Sequence, residues 1–537
     1  MPLAPLPTGT PTLSAIITAA RAGSLDHARA LFAAGDYGAR TGDPGALAVK
    51  GRLLKDAALR LPPDAQGPAF AEAARAYAAA DAMAPQPYTR INMATLTLLA
   101  GDGARAAMIA RDLLGWLASG DAIAETPYYL AATRAEAHLL FGDVDAAEAA
   151  LDEAYVADPD GWADHASTLA QLRLVLAARG ESAMWLDRFR PPRSLHFAGH
   201  LGVAPDSDLG ARVDALIAEA RIGFGYGALA AGADIVIAEA LLAAGAELHV
   251  VLPVPADTFR AQSVAPYAPT WTRRFDACLD AATSVRELTR VSGDYEPLAT
   301  ALAADVAMGS AVLNARMLDS AAVQLLVVDE GPGPFGSGLG TARDGLRWAR
   351  SGRSQHVVVH PRDAPVVASG ARTAPEGRPD RRLAAMLHIA FAGLDTLDDS
   401  AFAATVDTML TPFRERIASV DPQPDIVLPT GNARIVGFAD PAAAWRFASA
   451  LMSAHDGPLP LRIAGHYALA HWLDMPPALV GPGIVELERI AARAMPGVAT
   501  VSETFASALS ACDVADARAE WVGELGDGAR LFALTPQ

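Results

Sequence analysis

Residues 13 to about 188 carry apolar side chains at helical spacing, broken by short Gly, Asp and Pro stretches, and predict helices without strands. A weak repeat runs through this block. Leu98-Leu99-Ala100-Gly101-Asp102 recurs as Leu139-Leu140-Phe141-Gly142-Asp143, and Ala34-Gly35-Asp36 marks an earlier copy. In each copy glycine suits the left-handed residue that ends a helix, and aspartate suits the cap of the next one. The spacing, about forty residues, is that of a helical repeat array.

Pro191-Pro192 breaks this pattern, and from Ser194 strands and helices alternate. The expected elements are a strand over Leu195 to Ala198, a helix over Leu209 to Ala220, and a glycine loop at Gly225 with its helix. A strand over Leu248 to Leu252, a long connection, and a helix over Tyr295 to Leu318 follow. The series closes with a strand over Leu325 to Asp329, a loop at Gly340 with its helix, and a strand over His356 to His360. Alternation of this kind predicts a parallel sheet that binds ligands at the carboxyl ends of its strands. Residues 363 to 381, rich in Pro, Gly, Ala and Arg, read as a linker. From Arg382 the order is strand, helix, hairpin (Ile426 to Leu428, Ala433 to Phe438), helix, strand, helix and terminal strands, an α+β pattern. A chain of 537 residues is too long for one core. The expectation is therefore multidomain: all-α helical repeats over 1–190, an α/β Rossmann-like parallel sheet over 191–362, and an α+β domain over 382–537.

The candidate chemistry lies in two glycine-rich segments that run into helices. One is Gly225-Tyr226-Gly227-Ala228-Leu229-Ala230-Ala231-Gly232-Ala233-Asp234; the other ends in Gly338-Leu339-Gly340-Thr341-Ala342-Arg343-Asp344. A helix amino terminus offers unpaired N–H groups and partial positive charge, and glycine lets the backbone approach an anion closely. Gly199, Gly225, Gly227, Gly232, Gly338, Gly340 and Thr341 are thus expected to cradle the phosphate of a nucleotide or nucleotide-derived ligand. Each has a plainer role open to it. The glycines of the first segment permit tight strand–helix packing, Thr341 caps its helix, and Asp234 and Glu239 favour a helix's first turns. His200, Asp329 and Glu330 stand at the expected ligand edge, where solvation or capping competes with binding.

Composition narrows the classes. Hydrophobic residues make up 52% and charged residues 19%, as in globular proteins. A net charge of −18 with no Lys/Arg-rich run speaks against nucleic acid as partner. Two cysteines, Cys278 and Cys512, make a disulfide framework unexpected and fit a reducing cytoplasm; no zinc spacing occurs. The most apolar stretch, Ile235 to Pro253, is interrupted by Glu239, Glu247 and His249, so no membrane span is expected.

Three family resemblances follow from these motifs. The first third resembles degenerate tetratricopeptide repeats, and Tyr88 to Leu96 resembles the repeat region beside the TRAF-binding part of stress-kinase regulators. That likeness implies protein partners bound through helical repeats. Residues 194 to 362 resemble the SLOG superfamily, which includes the LOG-type nucleotide phosphoribohydrolases. Leu195 to His200 matches its first strand, Gly225 to Pro253 its glycine turn, helix and Val-x-Pro strand, and Gly338 to Asp344 its Pro-Gly-Gly-x-Gly-Thr-x-x-Glu. Here the Pro-Gly pair is Gly-Ser and the family's Glu is Asp344, one methylene shorter. If the domain hydrolyses an N-glycosidic bond, Asp344 is the catalytic residue the resemblance implies. Residues 382 to 535 resemble the class III adenylate/guanylate cyclase homology domain, a ferredoxin-like fold. The likeness rests on Pro429 to Phe438, Gly481-Pro482-Gly483-Ile484, Pro496 to Glu503 and the ending Leu531 to Leu534. The two positions that hold Mg²⁺ in active cyclases fall at Ala390 and Asn432, and the ribose-orienting asparagine falls at Val485. Only the arginine is kept, as Arg489; a register shift would bring Asp395 into play. The resemblances imply a cytoplasmic signalling protein that senses a nucleotide-like ligand, with an impaired cyclase-like domain able to pair as a homodimer. The alternatives are a nucleotide N-glycosidase or an active cyclase. No metal site is expected, and beyond a nucleotide or nucleotide-derived ligand the sequence specifies no cofactor.

Overall fold

The computed structural model describes residues 10–120, 126–204, 208–289, 297–331, 334–336, 338–362, 381–512 and 517–536. The expected linker at 363–381 lies, but for Arg381, outside the described residues, as does the side chain of Asp395. The chain divides into two compact units. One comprises Pro5–Pro191 with Met317–Asp319; the other is mainly Pro192–Arg316 and Ser320–Gln537.

The first unit is built of helices α1 (Leu13–Arg21), α2 (Leu25–Ala34), α3 (Pro44–Ala58), α4 (Pro63–Met83), α5 (Pro87–Leu99), α6 (Gly103–Ser119), α7 (Pro127–Phe141), α8 (Val144–Ala157) and α9 (Trp162–Arg179). The repeated Gly-Asp pair does the same work twice. Gly101 and Gly142 both take φ +93, and the carboxylates of Asp102 and Asp143 accept from Arg105 N and Ala146 N at 3.0 Å. The earliest copy differs: the left-handed residue is Asp36, at φ 53, not Gly35, and a short 3-10 turn follows it. Alternate helices send a polar group inward. Glu136 of α7 accepts from Thr95 of α5 at 2.5 Å and from Gln171 of α9 at 2.9 Å. Lys55 of α3 donates to Gln171 at 3.3 Å. Burial raises the Glu136 pKa and lowers that of Lys55.

The second unit holds two sheets. The first alternates β1 (Arg193–Gly199), α10 (Leu209–Ala220), β2 (Ile222–Gly227), α11 (Ala233–Ala243), β3 (Glu247–Leu252), α12 (Ala256–Ser263), α13 (Pro269–Ala281), β4 (Ser284–Glu287), α14 (Pro297–Met317), β5 (Ala322–Val328), α15 (Leu339–Ala349) and β6 (Gln355–Val359). All pairings are parallel, in the order β4-β3-β2-β1-β5-β6, so the sheet winds one way from β1 and then the other. The expected long connection contains α12, α13 and β4. Side chains alternate between the faces. Leu195 and Phe197 join a core with α10, α11 and α13. On the other face, Gln324 bridges His196 (3.0 Å) and Gln355 (2.7 Å), and His196 stacks on Trp348 of α15.

The second sheet is built of β7 (Arg381–Phe391), α16 (Asp399–Thr405), α17 (Thr411–Ser419), β8 (Ile426–Thr430), β9 (Ala433–Phe438), α18 (Pro441–Ser453), β10 (Leu461–Asp474), β11 (Pro477–Val480), α19 (Pro482–Ala491), β12 (Ala499–Ser502), α20 (Glu503–Ala511), β13 (Ala517–Glu524) and β14 (Arg530–Pro536). Its first half runs strand–helix–hairpin–helix–strand, with the order β10-β7-β9-β8. That is the ferredoxin-like βαββαβ arrangement expected from the sequence. Helix α20 and strands β11 and β13 were not expected.

The two sheets, expected as separate domains, fall in one compact unit because α14 serves both. Leu302, Val306, Ala307 and Leu313 of α14 pack in one core with Phe391, Phe438, Phe447, Phe505 and Leu509 of the second sheet. Met308, Val312 and Ala315 pack with Trp348 and Ala322 of the first sheet, and with Ala511. A Cβ on Gly309 would collide with the Ser507 backbone, so the glycine lets α14 and α20 cross in contact, and Ser310 and Ser507 hydroxyls meet at 3.0 Å. By length and composition α14 could cross a membrane, yet 72% of its apolar window is buried inside the protein, which explains its hydropathy as that of a core helix.

Candidate functional site at the carboxyl edge of the parallel sheet

Strand order reverses between β1 and β5, and the crevice beyond their carboxyl ends is where such sheets bind ligands. The structure brings Gly199, Gly232, Asp234, Gly338, Gly340, Thr341 and Asp344 to the two helices that start at this edge. Gly225 and Gly227 are a correction. They are not in a loop but in β2, where added Cβ atoms would collide with Leu241 and lie 2.5 Å from the Phe197 ring. Gly225 makes room for Leu241 of α11, and Gly227 for the Phe197 ring of β1.

Gly232 precedes α11 with φ +111, a conformation that favours glycine, and its segment forms an antiparallel bridge to Leu201. Gly199 has no room for a Cβ against Ala233. Two N–H groups beside this helix start are already taken. Asp234 accepts from Gly199 N at 2.9 Å and Ala230 N at 3.2 Å. Burial pushes its pKa up to about 7, the two N–H bonds oppose the rise, and nearby Asp344 adds to it. Asp234 therefore ties the α11 loop to β1.

The start of α15 is the open half. Gly338 stands at its N-cap with φ −77, and among the described residues no side chain caps the helix. Thr341 is the third residue of α15, so the expectation that it caps the helix is corrected. Gly340 lies inside the first turn, exposed, and a Cβ there would meet nothing within 4 Å. Unlike Gly225, its missing side chain serves no packing need. Asp344 is buried, and burial raises its pKa to about 7; Arg343 opposes the rise and Asp305 adds to it.

Arginines frame this edge. Arg362 donates to Asp329 at 2.5 Å and to the Leu201 carbonyl at 3.1 Å, lacing the β1 and β5 ends together across the crevice. Arg343 donates to Asp344 at 3.0 Å and Asp305 at 2.6 Å. Asp305, 1% exposed on α14, also accepts from Arg347 at 2.8 Å and from Tyr467 of β10 at 3.2 Å. Arg347 reaches Cys512, beyond α20, at 2.8 Å. Side-chain contacts thus run unbroken from Asp344 into the second sheet. Sequence reading did not single out Arg343, Arg362, Asp305 or Tyr467; a lone acid within apolar α14 was the available signal. His200, open to either a ligand contact or solvation by its sequence position, is 5% exposed, its ring nitrogens 2.9 Å from the carbonyls of Leu201 and His360.

In the second sheet, β7 pairs β9 with Ile389 opposite Arg434, which puts Ala390 and the hairpin tip bearing Asn432 at the same end of neighbouring strands. Ala390 is a buried methyl, and Arg434 donates to the Ala433 carbonyl at 2.7 Å beside them. A methyl, an amide and a guanidinium do not fit a Mg²⁺ pair, which requires carboxylate oxygens. Among the described residues no group of three or more His, Cys, Asp or Glu could hold a metal ion. Val485 is 61% exposed on α19, and Arg489 is ion-paired with Glu486 (2.6 Å) and Asp527 (2.8 Å).

No protein-family model matches the chain, and no curated protein does. Several solved structures are similar to part of it. The adenylyl cyclase CyaB from P. aeruginosa is 14% identical over 29% of this chain and 95% of its own, with TM-score 0.24. Adenylate cyclases from Trypanosoma brucei are 15% identical over 30% and 90%, with TM-score 0.26. An adenylate/guanylate cyclase/hydrolase from Silicibacter pomeroyi is 19% identical over 29% and 98%, with TM-score 0.24. At such values the likeness bears on neither activity nor ligand; the fold of each sheet stands on its own strand order.

Proposed function

We propose that this protein is a cytoplasmic sensor that binds a nucleotide or nucleotide-derived anion at the start of α15, and that the second sheet is a cyclase-like partner without cyclase activity. The observation that carries the reading is the side-chain path from Asp344 through Arg343 and Asp305 to Tyr467. A phosphate at the uncapped α15 amino terminus competes with Asp305 for Arg343, and a buried carboxylate answers strongly to the loss of a guanidinium. A ligand there is therefore felt in β10. The helical unit supplies surfaces for protein partners, and the cyclase-like sheet a surface for a homodimer.

The second reading, a nucleotide N-glycosidase, is favoured by one feature: the helix that opens at the ligand edge carries a buried carboxyl, Asp344, whose pKa burial raises toward neutrality. A thermal-shift screen with nucleotides, cyclic nucleotides and NAD derivatives, read alongside product analysis, separates the two. Stabilisation without turnover supports the sensor, release of free base supports the glycosidase, and silence from every compound defeats both.

A further inference from the structure

The opposite, amino edge of the parallel sheet holds a cleft of about 480 Å³. Its lining residues are Arg193, at the start of β1; Val312, Ala315 and Arg316, from the last turns of α14; Ser320 to Val323, leading into β5; and Arg353 with Ser354, ahead of β6. Three arginines from three separate elements line one cavity, and no carboxylate is among the described residues that line it. In a chain with 61 acids against 43 Lys and Arg, that is a local reversal of sign. Part of the charge has structural work: Arg316 sits where the carbonyl end of α14 favours a cation, and Arg353 lies over the Trp348 ring at 5.8 Å. Arg193 has no such role; it is exposed and merely opens its strand. The wall is apolar, with Val312, Ala315, Ala322 and Val323 all buried.

A concave site of one charge sign focuses the field onto an incoming counter-ion, and guanidinium forks match phosphate oxygens in pairs. The volume lies in the range of pockets for small organic ligands. We propose that this cleft is a second ligand site, which takes a small organic phosphate, its phosphate held by Arg193, Arg316 and Arg353 and its apolar part laid on Val312 and Ala315. The site is separate from the start of α15, since the two lie at opposite ends of the same strands.

The test is isothermal titration of the full chain with pyrophosphate, ATP and citrate. The Gly340→Val variant is used alongside the parent, to silence the carboxyl edge. Phosphate-bearing ligands are expected to bind the Gly340→Val protein, and the pair Arg193→Glu with Arg316→Glu to weaken that binding at least tenfold. Arg193→Gln with Arg316→Gln, neutral changes at exposed positions, repeats the comparison should charge reversal disturb folding, as judged by circular dichroism. The proposal is overturned if the Gly340→Val protein binds neither pyrophosphate nor ATP, if the arginine variants bind as the parent does, or if citrate binds while both phosphates do not.

Discussion

Replacing Asp305 with alanine removes a side chain that meets α15 and β10 at once. The carboxylate is 1% exposed and accepts three hydrogen bonds, from Arg343 (2.6 Å), Arg347 (2.8 Å) and Tyr467 (3.2 Å). Deleting one partner of a buried ion pair costs about 3–5 kcal/mol, because the charge left behind is uncompensated. Here the lower end applies. Arg343 and Arg347 side chains are 37% and 24% exposed, so solvent screens part of the loss. Arg343 also keeps Asp344, and Arg347 keeps Cys512. A loss of ~3 kcal/mol is about a hundredfold in an equilibrium constant. The assay is amide hydrogen exchange by mass spectrometry on the full chain, which reads local opening without assuming two-state unfolding. Peptides from α14, α15 and α20 should exchange about a hundredfold faster, while those from α5 to α8, in the other compact unit, serve as an internal control and stay unchanged. Asp305→Asn, which keeps one acceptor oxygen, should cost less. The reasoning fails if Asp305→Ala speeds α14 exchange by less than about threefold. It fails too if adding Arg347→Ala to Asp305→Ala is fully additive, since residues that share an ion pair must couple.

Other predictions concern individual groups. Gly225→Ala should destabilise the second unit by ~1–3 kcal/mol through its collision with Leu241, whereas Gly340→Val should leave the circular dichroism spectrum and melting temperature near those of the parent and remove ligand binding at α15. Asp234 and Asp344 have folded pKa values of about 7, above the ordinary 3.8, so the stability they contribute is complete below pH 4 and is lost as pH rises toward 7; urea titrations at pH 4.5, 6 and 7.5 should show that loss, and Asp234→Asn should flatten it. Purified protein with ATP or GTP and Mg²⁺ or Mn²⁺ should yield no cyclic nucleotide, and product that disappears on deletion of residues 382–537 would contradict the assignment of Ala390 and Asn432. Proteolysis should cut first within residues 363–381, and the fragments should still elute together on gel filtration, held by α14; fragments that elute separately would contradict the shared core.

Elements whose cause is local were legible in the sequence. The Gly101-Asp102 and Gly142-Asp143 turns carry their own conformational reason, the apolar run Leu325 to Val328 of β5 reads as a strand buried on both faces, and the hairpin at Gly431 announces itself by its turn. Elements whose cause is distant were not. Gly225 and Gly227 read as a loop because glycine ordinarily marks one, but the atoms that require them, on Leu241 and Phe197, come from other elements. Helix α20 has a small-residue surface, Ser507 above all, that makes sense only against Gly309 of α14. The ligand edge was half legible. Glycines and Asp344 were visible, whereas Asp234's capture of the Gly199 and Ala230 N–H groups depends on how the chain folds back. Arg343 stood beside Asp344 in the motif, yet its meaning lies in Asp305, on another helix.

The shared helix has a consequence for how the protein is made. Synthesis runs from the amino end, so α14 is complete before any strand of the second sheet exists. Until β7, β9 and α18 emerge, Leu302, Val306 and Ala307 lack the aromatic surface of Phe391, Phe438 and Phe447, and α20 completes that core last. The same geometry constrains engineering. A module that lends its neighbour a core helix cannot be transplanted alone, so the two sheets must be moved as one piece in any domain graft.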